Sequence, residues 1–410
     1  MHKYKLLGKK GEGTFSEVLK AQDIKSNKLV AIKCMKNHFD SVEQVNRLRE
    51  IQALRRLSPH PNIIKLHEVL YDRSTGRLAL VFELMEMNIY ELIRGRRQYL
   101  AEDKILHYMY QLMKGLDHMH KNGIFHRDIK PENVLIFGDA LKLADFGSCR
   151  GIYSKQPFTE YISTRWYRAP ECLLTDGYYN YKMDVWGVGC VFFEIMSLYP
   201  LFPGTNELDQ IHKIHNILGT PPADLLAKLK KHGTHMDFDF PQKQGTGITK
   251  LLPHASPDAL DLLTKLLAYN PDDRLSAKQA LRHPYFREIR ELDKRLRKAT
   301  KTGNATGAAG DDDDDRMSDT RGSGRGNDDS ASDAEGTGGP RAKPAAEGDG
   351  SKLPPLPVGK GSQSDSLPML TKGGGSTDVP KKKESGPPPA QGQTQGDGKA
   401  LPKLAPLGKK

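Results

Sequence analysis

A short segment of the chain combines three side chains suited to moving a charged group. In residues 126–133, Asp128 can accept a proton from a hydroxyl group, Lys130 can neutralise a phosphate, and Asn133 can ligate a metal ion. Asp145, in the tripeptide Asp-Phe-Gly, supplies a second ligand for the same ion. These residue types predict phosphoryl transfer assisted by Mg²⁺.

Two earlier segments are suited to holding a nucleotide. Gly11 and Gly13 lie in Gly-Glu-Gly-Thr-Phe-Ser-Glu-Val, where the missing Cβ atoms let backbone N–H groups approach phosphate oxygens. The same spacing also suits a plain hairpin turn. A Walker loop is excluded, because no Gly-Lys-Ser/Thr follows the glycines. Lys33 ends an apolar strand pattern, and Glu50 on the next predicted helix is a candidate partner. For Lys33 or Glu50 taken alone, a surface position is the favoured interpretation.

The order of the motifs decides between these alternatives. The glycine-rich segment, Lys33, residues 126–133, Asp-Phe-Gly at 145–147 and Ala-Pro-Glu at 169–171 follow one another along the chain. One tripeptide arises by chance, but the whole series in this order does not.

The predicted elements place these motifs on two structural units. Residues 4–36 alternate apolar and polar side chains between glycines, which predicts strands, and residues 78–84 predict another. Apolar residues at helical spacing predict helices over residues 41–57, 102–121, 182–197, 207–218 and 257–268. Since strands come first and helices follow, the fold class is predicted as α+β, with a small β-rich lobe and a larger helical lobe.

On these motifs, residues 4–286 resemble a eukaryotic protein kinase. The resemblance implies the bilobal kinase fold, with an N-lobe over about 4–84 and a C-lobe over about 85–286. It implies ATP and Mg²⁺ as cofactors and protein substrates as partners. It also implies that Asp184 braces the catalytic loop and that Glu171 pairs with Arg274.

The family resemblance carries a set of site residues onto this chain. The catalytic set is Asp128, Lys130, Lys33, Glu50 and Thr164, and the metal ligands are Asn133 and Asp145. The nucleotide site is Lys10, Gly11, Gly13, Val18, Ala31, Lys33, Phe82, Glu83, Met85 and Leu135. Two positions depart from the family pattern: Ser16 replaces the third glycine, and Lys10 replaces an apolar residue over the adenine, where its methylene stem is expected to serve.

Further motifs indicate a subfamily. Thr159-Glu160-Tyr161 resembles the dual-phosphorylation motif of MAP kinases, and Ser163-Thr164-Arg165-Trp166-Tyr167-Arg168 is similar to the CMGC group. Segments 47–57, 88–97 and 153–157 resemble the MOK/MAK/MRK branch of ciliary kinases, to which the long-flagella kinase of green algae belongs. Lys130 is typical of serine/threonine kinases. The acidic docking segment of true MAP kinases is lacking, which puts activation by conventional MAP kinase kinases in doubt.

The subfamily resemblance implies how the enzyme is regulated and what it phosphorylates. It predicts activation by phosphorylation at Thr159 and Tyr161, through an upstream kinase or autophosphorylation. Phospho-Thr159 is expected to meet Arg49, Arg127 and Arg150, and phospho-Tyr161 to meet Arg165 and Arg168. Arg168 also indicates a preference for proline after the phosphorylated residue. The branch implies a role in setting cilium or flagellum length.

Composition separates a folded part from a tail. Residues 301–410 contain no aromatic residue and 21 of the 39 glycines, so residues 287–410 are predicted as a disordered tail. Residues 301–410 hold 16 basic and 16 acidic side chains, which leaves the formal charge of +11 to residues 1–300. That charge suits phosphate or acidic substrates, or an ordinary solvated surface. Asp311–Asp315 is an acidic block expected to be solvated.

Other composition features bear on partners and location. The proline-rich residues 353–357 suit an SH3-like partner or a stiff linker. Four cysteines without metal-type spacing predict reduced thiols in the cytoplasm, with the nucleus as a second possible compartment. The branch resemblance implies the cilium or flagellum as a further location. No membrane span, signal peptide or nucleic-acid partner is predicted. Two alternatives stay open: a non-catalytic pseudokinase that acts as a scaffold through its tail, and a small-molecule kinase.

Overall fold

A computed structural model of the protein describes residues 3–158 and 164–303. Within these ranges the strands are β1 (Tyr4–Glu12), β2 (Ser16–Asp23), β3 (Leu29–Met35), β4 (Leu66–Asp72), β5 (Arg77–Glu83), β6 (Met87–Asn88), β7 (Ile124–Phe125), β8 (Val134–Phe137), β9 (Ala140–Leu143) and β10 (Arg150–Gly151). The helices are α1 (Val42–Asn46), α2 (Arg49–Leu57), α3 (Ile89–Ile93), α4 (Glu102–Lys121), α5 (Pro170–Leu174), α6 (Lys182–Ser197), α7 (Glu207–Leu218), α8 (Ala223–Lys230), α9 (Pro257–Leu266), α10 (Ala277–Leu281) and α11 (Arg287–Gly303). The predicted β-rich first lobe and helical second lobe are confirmed.

The first lobe is an antiparallel sheet in the order β1-β2-β3-β5-β4. Side chains alternate between the faces of a strand, so Val30 and Ile32 of β3 enter a small core while Ala31 and Lys33 face the other way. This alternation aims Lys33 at the cleft between the lobes.

The helix predicted over residues 41–57 is interrupted. The chain forms α1 and α2, and Leu48 between them is extended with φ −60° and ψ 127°. The apolar positions are nevertheless buried as predicted, because Val45 and Ile51 are both fully covered. No glycine or proline marks the break, so periodicity alone cannot place it.

The second lobe is built around α6. The helix predicted over residues 182–197 forms with those bounds, and every residue from Met183 to Ser197 is buried. A Cβ atom at Gly187 would lie 2.9 Å from Cβ of Ile129, so the glycine lets α6 approach the segment that carries Asp128. The predicted helices 102–121 and 207–218 also form with those bounds, while α9 ends at Leu266, two residues early.

The boundary predicted for the tail differs from the structure. Residues from 287 onward were expected to lack structure, but Arg287–Gly303 form α11. Asp293 of this helix accepts hydrogen bonds from Tyr110 and Lys114 of α4, at 3.1 and 3.4 Å, and Ile289 packs on the main core. The sequence 304–410 lies outside the described residues. No helix in the described ranges has the length and apolar composition needed to cross a membrane.

Candidate active site

Lys33 is held between two carboxylates. Its Nζ donates to both carboxylate oxygens of Glu50, at 2.8 and 2.9 Å, and to Oδ1 of Asp145 at 3.0 Å. Burial disfavours the charge on Lys33, but the two carboxylates outweigh it and raise the pKa of Lys33 above its ordinary value. Burial also opposes the charge on Asp145, and Lys33 outweighs it to lower the pKa of that carboxyl group. Lys33 and Asp145 are therefore both charged near neutral pH.

Asp128 lies in a loop between β7 and β8. Its Oδ2 accepts hydrogen bonds from Lys130 Nζ at 2.9 Å and from Asn133 Nδ2 at 3.0 Å. Its Oδ1 is buried and has no hydrogen-bond partner among the residues that the structure describes. Since a buried acceptor without a partner is costly, this oxygen is suited to a hydroxyl donor from a bound molecule.

Asp184 of α6 binds the backbone of the loop that carries Asp128. Asp184 accepts the backbone N–H of His126 at 2.7 Å and of Arg127 at 2.8 Å, and its Oδ2 also contacts His120. Arg127 adopts a left-handed backbone conformation with φ 69°, which is uncommon outside glycine. The bracing role implied for Asp184 is confirmed by these contacts.

The implied pair of Glu171 and Arg274 is also present. Arg274 donates to the two carboxylate oxygens of Glu171 at 2.7 and 3.1 Å, and both side chains are buried. The guanidinium also lies 5.1 Å from the ring centre of Trp186 on α6. The pair therefore ties the end of the segment that follows Asp145 to the centre of the second lobe.

A cleft of about 540 Å³ opens between the lobes beside these residues. Most of the predicted site residues line it, namely Lys10, Gly11, Gly13, Val18, Ala31, Lys33, Glu50, Phe82, Glu83, Met85, Lys130, Asn133, Leu135, Asp145 and Thr164. Asp128 is not among the lining residues, and it reaches the cleft through its contacts with Lys130 and Asn133.

The cleft has features that sequence reasoning missed. Asn88 and Glu91 line its mouth and cap each other at the start of α3, at 2.8 and 3.0 Å. The signal was the capping pattern Asn-x-x-Glu. Lys10 was expected to cover the cleft with its methylene stem, and its Nζ in addition donates to the carbonyl oxygen of Glu86 at 3.0 Å. This contact joins β1 to the segment that connects the two lobes.

Three of the predicted phosphate-binding arginines converge. Arg127 is buried and donates to the carbonyl of Ser148 at 2.7 Å and to the hydroxyl of Tyr179 at 3.0 Å. Burial lowers the pKa of Arg150, and the like charges of Arg49 and Arg127 lower it further. Positive charges gathered in this way favour an anion beside them. Thr159 and Tyr161 themselves lie outside the described residues.

The other two predicted arginines are engaged in the described part of the chain. Arg165 donates to the carbonyl of Thr205 at 3.0 Å, and Arg168 pairs with Glu207 at 3.1 Å. A phosphate on Tyr161 would have to compete with Glu207 for Arg168.

The sequence is similar to that of known protein kinases. A family model described as protein kinase domain matches residues 4–286. The chain is 65% identical over 295 residues to MAPK/MAK/MRK overlapping kinase of Homo sapiens, covering 72% of this chain and 70% of the relative. It is 45% identical over 287 residues to serine/threonine-protein kinase ICK of Rattus norvegicus, which covers 70% of this chain and 45% of that protein. It is 44% identical over 287 residues to serine/threonine-protein kinase MAK of Homo sapiens, with 70% and 46% covered.

Proposed function

The chain belongs to the protein kinase family as a serine/threonine kinase of the MOK/MAK/MRK branch, and from this we propose that it phosphorylates protein serine and threonine residues that precede proline. The phosphoryl donor is ATP. The observation that carries the proposal is the environment of Asp128, whose Oδ2 is held by Lys130 and Asn133 while its buried Oδ1 has no partner in the described part of the chain.

Each residue of the site has a task in this reaction. Oδ1 of Asp128 accepts the hydrogen bond of the substrate hydroxyl and orients its oxygen toward the γ-phosphate. Lys130, 2.9 Å from the other carboxylate oxygen, is close enough to follow the charge on the transferred group. Lys33, fixed by Glu50, holds the non-transferred phosphates. The chemistry is mostly positioning and neutralisation of charge.

The donor set at the cleft fits Mg²⁺. Asp145 offers an ionised carboxylate, and Asn133 uses its amide nitrogen for Asp128, which leaves its Oδ1 for a cation. Mg²⁺ prefers oxygen ligands and is commonly bound by one or two protein groups with phosphate and water. When bound, the ion neutralises charge on the phosphate oxygens. If Asp145 held the ion, the contact with Glu50 would remain to hold Lys33 in place.

The proposed activation uses the arginine cluster. Phospho-Thr159 would join Arg49 of α2, Arg127 beside Asp128, and Arg150 of β10. Because Glu50 follows Arg49 directly, a phosphate at this point supports the Lys33–Glu50 pair as well as the catalytic loop. Phosphorylation of Tyr161 is proposed to act through Arg165 and Arg168.

The proposed cellular role rests on the branch resemblance alone. We propose that the kinase works in the cytoplasm and cilium and sets cilium or flagellum length. Disruption of the gene, followed by measurement of flagellum length and rescue with wild-type or Asp128→Asn protein, tests this role. Rescue by the inactive variant would contradict a catalytic role in length control.

One assay separates the proposed reaction from the alternatives. Purified full-length protein is given radiolabelled ATP, Mg²⁺ and a generic basic protein, with Asp145→Asn as the matched control. We expect labelled serine and threonine with the wild-type protein and almost none with the variant. Equal labelling by both would indicate a contaminating kinase, and no labelling by either, after activating phosphorylation, would favour a scaffold or a small-molecule kinase over a protein kinase.

A further inference from the structure

Helix α11 presents an unusual density of positive charge. Between Arg287 and Lys298 it carries six basic and three acidic side chains. Arg290, Lys294, Arg297 and Lys298 recur at intervals of three or four residues, so they share one side of the helix. The acidic groups of the helix neutralise part of this charge, because Arg297 pairs with Asp293 at 3.2 Å and Lys294 pairs with Glu291 at 3.3 Å. Asp293 also accepts hydrogen bonds from Tyr110 and Lys114 of α4, so this one carboxylate is shared among several donors. Six basic against three acidic side chains leave residues 287–298 with an excess of three positive charges.

The positive charge extends from α11 onto the neighbouring surface. His60, in the turn after α2, stacks on His118 of α4 with ring centres 4.3 Å apart. The pKa of His60 is lowered to about 4, chiefly by burial and in addition by the charges of His118, Lys114, Lys142 and Arg297. Cations from α4, β9 and α11 therefore surround one point on this surface. We call Lys114, Lys294, Arg297 and Lys298 the basic face.

A strongly acidic segment follows the same helix in the sequence. The chain leaves α11 at Gly303, and five consecutive aspartates occupy positions 311–315. Eight residues of extended chain span at most about 29 Å. The 17 residues of α11 are about 25 Å long at the α-helical rise. The acidic block can therefore reach any cation of the basic face.

We propose that Asp311–Asp315 is an internal docking segment that binds the basic face of α11. Tethering through a short linker gives the block a high effective concentration at the helix, so weak charge pairs suffice to hold it there. The inference concerns the tail and is independent of the proposed phosphoryl transfer. The consequence is that the basic face is closed to other acidic partners until the block is displaced.

Zero-length cross-linking of the full-length protein tests the proposal. A carbodiimide joins a carboxylate to a lysine only where the two are in contact. We expect peptides containing Asp311–Asp315 linked to Lys294, Lys298 or Lys114, with a yield that falls several-fold between low and high salt as screening increases. Links confined to lysines of the tail, or a yield that does not depend on salt, would overturn the proposal.

Protection from trypsin gives a second readout. Docking should slow cleavage after Arg297 and Lys298, and replacing all five aspartates by asparagine should speed it several-fold. A matched control neutralises the same number of charges further along the tail, at Asp319, Asp328, Asp329, Asp333 and Glu335. Equal cleavage rates in both variants would show that total tail charge, and not the block, is responsible, and would overturn the assignment.

Mixing isotopically heavy and light protein before cross-linking shows whether the acidic block binds the basic face of its own chain or that of a second copy. Links within one chain support the proposal. Links mainly between heavy and light chains would replace it with docking between two copies. Protection that persists without the block, in the presence of an added acidic protein, would show that the basic face serves an external partner instead. None of these experiments measures kinase activity. A failure of the docking proposal can therefore be told apart from a failure of the proposed reaction.

Discussion

The hydroxyl group of Tyr167 donates a 2.7 Å hydrogen bond to Oε2 of Glu194, and both side chains are buried. Tyr167 belongs to the segment between Asp145 and Glu171, and Glu194 belongs to α6, so the bond fastens that segment to the second lobe. The pKa of Glu194 is raised from 4.5 to about 7, chiefly by burial, whose effect the hydrogen bond from Tyr167 offsets only in part.

This relationship predicts a pH-dependent stability. Because the folded state holds the Glu194 proton more tightly than the unfolded chain, its contribution to stability is full below pH 4.5 and is lost as pH rises to about 7. The difference in unfolding free energy between wild type and Glu194→Gln should change across this window, as measured by urea unfolding. The exposed Glu288→Gln should show no such change. A constant difference for Glu194→Gln would contradict the raised pKa.

Catalysis should depend on charge at Lys33 and Asp128 and not on packing there. Lys33→Arg and Asp128→Asn should each lower phosphoryl transfer by roughly a hundredfold or more, because they alter groups that act on the transition state. Initial rates with ATP and a protein substrate measure the loss, and circular dichroism verifies the fold. The controls Lys25→Arg and Asp224→Asn change exposed residues outside the cleft. A folded Asp128→Asn protein with near-wild-type rate would refute the assigned role.

Arg150 should act through phospho-Thr159. Each charge-assisted bond contributes about 1.5–3 kcal/mol, so losing one should lower activity by one or two orders of magnitude. We expect Thr159→Ala and Arg150→Ala to show similar losses, and the double variant to lose little more. The exposed Arg73→Ala serves as the control. Losses that multiply fully in the double variant would mean that Arg150 acts elsewhere.

Substrate selection should favour proline directly after the phosphorylated serine or threonine. The basis is Arg168, which follows Trp166 and Tyr167 as in the CMGC group and pairs with Glu207 at 3.1 Å. A degenerate peptide library phosphorylated by wild-type protein should be enriched in proline at that position. Signal from the Asp128→Asn variant is subtracted to remove contaminating kinases. An unenriched library would remove the proline preference from the proposal.

Two truncations should differ sharply. Ending the chain after Gly303 should leave the melting temperature almost unchanged, because α11 is kept. Ending it after Phe286 removes the packing of Ile289 and the bonds of Asp293, and should lower the melting temperature by several degrees. Differential scanning fluorimetry compares them with the full chain. A large drop in melting temperature for the chain that ends after Gly303 would place stabilising contacts beyond residue 303.

Much of the site was predictable because kinase chemistry depends on charged residues in a fixed order. The pairing of Lys33 with Glu50 followed from a lysine at the end of an apolar strand that needed a carboxylate. The bilobal division followed from the change of period between residues 36 and 102. Both are properties of local sequence.

Other features depend on contacts that local sequence does not record. The break at Leu48 has no turn residue to mark it. The contact of Lys10 with the carbonyl of Glu86 joins residues 76 positions apart and uses a backbone acceptor that every residue possesses. Helix α11 was not predicted because its many charges resemble those of a solvated tail, and among residues 287–299 the partly buried side chains are Ile289, Arg290 and Asp293.

The buried pair of Glu171 and Arg274 also constrains how the protein is made. The two residues are 103 positions apart, and a ribosome adds about 5–20 residues per second, so the arginine follows its partner by roughly 5–20 s. During that interval the Glu171 carboxylate has no counter-ion and is costly to bury. We therefore expect α5 of the nascent second lobe to stay open to water until Arg274 has left the ribosome.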